Sequence, residues 1–503
     1  MPLRSYSISL VCGVLLAIAT LGLSSCGTRY YPLPANNFGG RPTPPSLLQQ
    51  RVLVGLTTTG TQGELEILDG LRNLRNNIQD TKPTFSISGY SGVPVQIMNF
   101  PEQSVGYAYS STGGSLTQIN YGTEAAGSSA GTFPNAAGIA VPPTRARIYV
   151  AEEAAGQLFV VDNVAGASYA LNLPNVFQVI DNVGDTVTLA MTRNSNTLYR
   201  IFKLNVNQYP TAQAAVTATG SIDCEPFNVP IYCVVPVPGN FDRPSNAYFS
   251  VDGTQVYVLN SGPELGGTTA SVSFIPQSAL VNTIIPTAPP TVSPVTATLP
   301  IPGGVTDAIS DGFTLYLAGQ STNTIASNGT TVTGPNPGGL FAGYLTTVNV
   351  ASQQIANAYS ISDGSHSQML FADNDTLWIG SQNCSTGVRQ YLFSQGNTTQ
   401  AANYNCLTMF NVGNATPQIV PAVNKGASVG VPYPNTYETD PYYYGSLTGI
   451  CWVQNYGKVY TAYGGQVHAF NTADGSEINN FLFTVQGTAL TVVYMDALTN
   501  EAN

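Results

Sequence analysis

The side chains able to do chemistry are few and widely spaced. Histidine occurs twice in 503 residues, as His366 and His468. His366 sits in DGSHSQ at the start of an apolar stretch, whereas His468 alternates with Val467 and Ala469 and reads as structural. Two histidines cannot make a multi-histidine metal centre, so a metal site would have to be a calcium site of carboxylates and carbonyls. Glu152-Glu153 and Asp373-Asn374-Asp375 are the acidic groups on offer, but a solvated edge accounts for the first and hairpin-turn chemistry for the second. No metal and no cofactor is assigned, with calcium left open. G-x-S-x-G occurs at 127–131 (GSSAG) and 426–430 (GASVG). A nucleophile elbow needs a strand before and a helix after. Gly/Ala/Pro-rich loop surrounds the first and Val431-Pro432-Tyr433-Pro434 follows the second, so both are accidents of a Gly/Ser-rich chain. No catalytic residue is assigned.

Residues 437–445, YETDPYYYG, are neither turn chemistry nor strand alternation. Tyr437, Tyr442, Tyr443 and Tyr444 give flat amphipathic rings with hydrogen-bonding tips, suited to a sugar or a peptide, and are the candidate partner-binding residues. Five thiols follow residue 26. If the compartment is oxidising, Cys224 with Cys233 and Cys384 with Cys406 are the economical disulfides, each stapling an insertion. Cys451 is left over beside Trp452 and reads as a buried, inert thiol.

The elements that position these residues are strands. Only 9% of the chain is charged, Gly (50) and Pro (34) are abundant, and Tyr and Phe far outnumber Trp, which indicates an all-β protein rich in turns. The formal net charge is −11 and no Lys/Arg stripe occurs, which excludes nucleic acid as a partner. Residues 147–163, RIYVAEEAAGQLFVVDN, alternate apolar and polar on both sides of a turn, the pattern of a half-buried hairpin. Variants recur at 250–262, 310–320, 372–383 and 455–475. Residues 51–56, 64–68 and 85–88 read as strands, and Ile67, Leu71, Leu74 and Ile78 at helical spacing suggest a helical turn after Asp69. Units begin near Val93, Ala136, Val176, Ser245, Gly304, His366 and Ser446. The last apolar run, 489–495 (ALTVVYM), is the first strand of a unit whose later strands are supplied at Arg51. The expected fold is a β-propeller of seven to eight blades, eight by count, closed by pairing the C-terminal strand with the N-terminal blade. His366 would then face the central channel.

RIYVAEEAAGQLFVVDN, SVDGTQVYVLNSG and KVYTAYGGQVHAFNTADG resemble the YVTN family of β-propeller repeats, in which a Gly-containing turn leads to a Tyr-Val strand, a loop and a second strand ending near Asp or Asn. Seven blades is the commoner number there. At the N-terminus, Arg4, an apolar run and small residues before position 26 have the layout of a secretory signal. Leu23-Ser24-Ser25-Cys26 resembles the lipobox of bacterial lipoproteins, which implies lipid attachment at Cys26, and Gly27 after it implies the outer membrane. The expected organisation is a signal peptide over 1–25, a lipidated cysteine and Pro-rich tether over 26–50, and a single propeller over 51–503. The expected function is that of a lipid-anchored module at the bacterial cell envelope, periplasmic or surface-facing, that binds or scaffolds a protein or carbohydrate partner. The alternative is a lactonase-like hydrolase using channel groups such as His366.

Overall fold

The second strand of each unit is covered on both faces rather than one. Arg147–Glu152, Gln255–Asn260, Thr376–Gln382 and Lys458–Tyr463 are buried along almost their whole length. The expected alternation survives only in the partner strand of the hairpin, as in Gln157–Asp162. The reason is position: a strand in the middle of a sheet stacked between two other sheets meets no water on either side. Tyr149, Tyr257, Tyr316, Trp378 and Tyr460 occupy equivalent places in these strands, and all five are buried. Outer strands such as Gln354–Ile361 are mostly exposed, so burial falls from centre to rim.

A computed structural model describes Phe38 and residues 40–71, 85–325, 332–333, 340–394, 403–421, 443–478, 485 and 487–500. Cys26, Tyr437, Tyr442 and the second G-x-S-x-G lie outside them. The chain divides into two units, residues 1–43 and 44–503, and the second holds eight antiparallel sheets. Numbered by their innermost strands, blades 1 to 4 start from Thr488–Tyr494, Pro94–Phe100, Ala136–Ala140 and Val176–Asp181. Blades 5 to 8 start from Pro244–Phe249, Asp307–Ser310, Ser365–Ala372 and Leu447–Val453. Each next strand of a blade follows antiparallel toward the rim.

Blade 1 joins the two ends of the chain. Its inner strand comes from the C-terminus, and Arg51–Thr57 and Gly63–Asp69 complete it, with Val52 opposite Tyr494 and Val54 opposite Val492. Apolar clusters bridge every pair of neighbouring blades, including blade 8 to blade 1, where Val453 and Tyr460 pack with Val52, Val54 and Val492. The ring is closed without a free inner edge.

Three details differ from expectation or refine it. Ile67 lies in a strand and Leu71 in the turn that follows it, its N–H donating to Asp69 Oδ1 at 3.0 Å, while Leu74 and Ile78 lie outside the described residues. Ser46 donates to Glu124 in blade 2 and Leu48 is buried among Leu53 and Leu65, so these two residues at the end of the expected tether pack against the propeller. Both disulfides form as expected, Cys224 to Cys233 and Cys384 to Cys406, and Cys451 is a buried free thiol. The first staples an insertion in blade 4 that carries the helix Ala212–Thr219, capped by Thr211 accepting from the Ala214 N–H at 3.2 Å, and the extra strand Asp223–Glu225.

Candidate functional site

A β-bulge recurs at the same level of the inner strands. The register shifts early in those of blades 2, 3, 4, 5, 7 and 8, and the residues that resume pairing are Gln96, Gly138, Gln178, Asn246, Gln368 and Gly449. Blade 1 carries the same extra residue at Leu490, with Thr491 resuming opposite Gly55. In blade 6 the first paired residue is Asp307, opposite Ala318. A bulge re-aims the side chains around it. The residues after the bulge in blades 1, 2, 7 and 8, namely Thr491, Gln96, Gln368 and Gly449, line the channel together with Asp307 of blade 6.

A cavity of about 420 Å³ occupies the channel at this level. Gln96, Asp307, Gln368, Gly449 and Thr491 line it, with Asn99, Ser367, Thr448 and the methionines Met98 and Met369. Several of these groups also tie blade to blade. The Gln368 amide donates to the Thr448 carbonyl at 2.9 Å, and Asn99 Nδ2 donates to the Tyr494 carbonyl at 2.9 Å. Asp307 Oδ1 accepts from the Ala308 N–H at 2.9 Å, and Asn246 Oδ1 accepts in the same way from Ala247. Burial pushes the Asp307 carboxyl up to about 7, against the smaller effect of that N–H. Asp307 is the only titratable side chain among the described residues lining the cavity.

Next to this sector stands a second carboxyl. Glu264, in the short 3-10 helix Gly262–Leu265 of blade 5, accepts from the Gln320 N–H of blade 6 at 3.3 Å, and burial pushes it up to about 8. Gly304 is required there: with φ at +74°, any Cβ would lie 2.1 Å from the Gln320 carbonyl oxygen.

The residues expected to form a site are placed differently. His366 does lie on an inner strand, but its ring is 2% exposed and is not among the residues lining the cavity, which begin at its neighbour Ser367. The bulge between His366 and Gln368 breaks the alternation that would have put both on one face. His366 Nε2 meets the Ser362 carbonyl at 2.9 Å, and burial lowers its pKa to about 4, leaving a neutral core histidine. Tyr444 is 4% exposed and donates to Glu477 at 2.7 Å, and Glu477 in turn meets His468 Nδ1 at 2.6 Å. This buried chain lies between blades 7 and 8, so Tyr444 is not on the surface and His468 is structural as expected. Tyr443 is half-buried against the Tyr404 ring, 5.6 Å between centroids. Ser129 of the first G-x-S-x-G lies on the outer strand Ala125–Thr132 and bonds its own neighbours' backbone. Asn374 and Asp375 have φ of +63° and +53° in the three-residue hairpin turn between Ala372 and Thr376, and Asp373 accepts from Trp452 and Gly457 of blade 8. Glu153 pairs with Arg193 at the surface.

Asp307 went unnoticed because it belongs to no local motif. The signal that could have found it is an amide near the start of four units, at Gln96, Gln178, Asn246 and Gln368, with an acid at the corresponding place in one unit.

No family model matches the chain, and no curated protein matches it. Among solved structures, Kuenenia stuttgartiensis hydrazine synthase is similar at 15% identity and TM-score 0.44, over 76% of this chain and 96% of that one. The dihydro-heme d1 dehydrogenase NirN is similar at 11% identity and TM-score 0.48, over 87% of this chain and 76% of that one. The β-propeller domain of Myceliophteria thermophila Cps50 (Swd1) is similar at 9% identity and TM-score 0.42, over 77% and 96%. At these identities the likeness is one of fold alone.

Proposed function

We propose that this protein is a YVTN-type propeller, anchored by a lipid on Cys26 to the bacterial outer membrane, that binds or scaffolds a protein or carbohydrate partner. The observation carrying this reading is where the chain spends its long connections. In a four-stranded antiparallel blade, the start of the inner strand and the link between the second and third strands lie at the same face. Residues 326–339, 383–406 and 421–446, in blades 6 and 7 and on the way to blade 8, all connect strands at that face. The tyrosine-rich 437–444 belongs to the last of them. The opposite face has long connections of its own, 204–231 in blade 4 and 277–296 in blade 5, so the ring is a rigid platform with ample variable chain around it, an arrangement suited to recognition. The channel favours the same reading over a hydrolase, since its described lining offers one carboxyl and no base to pair with it.

Two experiments test this. Tyr437, Tyr442 and Tyr443 replaced together by Ala should weaken capture of an envelope partner by tenfold or more, as expected for aromatic anchors, with an unchanged melting temperature. Equal capture by both proteins would remove the loop from the interface. A Cys26→Ser chain should move from the membrane fraction to the soluble one, and its persistence in the membrane would contradict lipid anchoring.

A further inference from the structure

We propose that the central channel is a binding site for a small primary amine, whose ammonium group is held against Asp307. The cavity wall sets the charge of its guest. Asp307 is the sole titratable group there, and no Lys, Arg or His among the described lining residues offsets it. An anion would be repelled, and a neutral guest would leave a desolvated carboxylate unmatched. Only one of its two oxygens, Oδ1, has a hydrogen bond within the described protein, from Ala308, so Oδ2 is available to a donor.

The other groups narrow the kind of cation. An ammonium has three N–H donors and accepts nothing. Beside the carboxylate, Gln96, Gln368, Thr448 and Thr491 line the same cavity, residues whose amide and hydroxyl oxygens can accept from an ammonium. A quaternary ammonium would want aromatic faces, and the lining has none. A calcium ion wants six to eight oxygens, several of them charged, and one carboxylate is a poor match. At about 420 Å³ the cavity is at the small end of the range for organic ligands. The elevated pKa of Asp307 fits an acid whose charge is stabilised only when a cation arrives.

The test is calorimetric titration of the full chain at pH 7.5 with 1,4-diaminobutane and ethanolamine, against 1,4-butanediol, tetramethylammonium and calcium chloride. Both amines should bind at least tenfold more tightly than the diol, tetramethylammonium and calcium. Asp307→Asn should lose that binding by tenfold or more while melting as a folded protein. Gln96→Glu adds a second carboxylate to the wall and should tighten amine binding, which keeps the proposal testable if Asp307→Asn fails to fold. Equal binding of amine and diol, tighter binding of calcium or tetramethylammonium, amine binding unchanged in Asp307→Asn, or no heat with either amine at 10 mM would each overturn it.

Discussion

Arg51 and Asp496, 445 residues apart in sequence, meet in a two-point ion pair. Arg51 Nη2 lies 2.7 Å from Asp496 Oδ1 and Nε 3.0 Å from Oδ2, while the Arg51 backbone N–H donates to Oδ2 at 2.8 Å. Nη1 reaches on to Glu124 at 2.9 Å and to the Tyr121 carbonyl in blade 2. Removing one partner of a buried pair strands the other charge, at a cost of roughly 3–5 kcal/mol. Asp496→Ala leaves Arg51 its second carboxylate, Glu124, and should therefore lower unfolding free energy by the low end of that range, about 3 kcal/mol, in urea titrations. Arg193→Ala, which breaks a pair at the surface, should cost under about 1 kcal/mol.

The two disulfides should contribute separately. Replacing Cys224 and Cys233 together by Ser, or Cys384 and Cys406 together, opens one loop in each case. Loop closure puts each loss on the order of 3 kcal/mol, read as a lower urea midpoint.

Cys451 should be silent until the protein unfolds. Its thiol is buried and burial raises its pKa, so little thiolate exists to react. Iodoacetamide should label it within minutes in denaturant and negligibly in the native state, as read by mass spectrometry. Rapid native labelling would mean that blade 8 opens.

Two groups should pull the pH dependence of stability in opposite directions. Asp307 holds its proton more tightly folded, at about 7, than unfolded, at about 4, so its contribution favours the fold at low pH and is lost as pH rises through that window. His366 is the reverse, since the unfolded chain takes up the proton near pH 6.5 and the folded one only near 4. Its contribution is lost as pH falls from about 6.5 to about 4. Melting temperatures across pH 4 to 8 should show Asp307→Asn gaining on the wild type as pH rises. His366→Phe should gain on it as pH falls. Parallel curves for either variant would exclude its group from the titration.

What the sequence made legible was everything carried by strand patterning. The inner strands start within three residues of the expected positions at Val93, Ala136, Val176, Ser245, Gly304, His366 and Ser446, because each lies just after a turn and opens an apolar run. Complementation of 489–495 by Arg51 onward was visible for the same reason. The ion pair that fastens it was not, since nothing local links Arg51 to Asp496. The channel was illegible because a single inserted residue in every inner strand but that of blade 6 reverses which side chains face inward. That insertion sends His366 into the core and leaves Gln368, with Asp307 one blade away, on the wall. Tyr444 was read as surface because a run of tyrosines looks amphipathic, yet its hydroxyl has a buried carboxylate to bond.

Because the wall of the channel includes Thr491, Val492 and Val493, it is finished only after blades 2 to 8 have been synthesised. A chain growing from its N-terminus can stack blades 2 to 8 as they emerge, but blade 1 must wait with its inner edge open. Until then the cavity has a missing side and Arg51–Thr57 has no inner neighbour. Birth order thus couples ring closure to completion of the ligand site, and a chain truncated before Thr488 would lose both together.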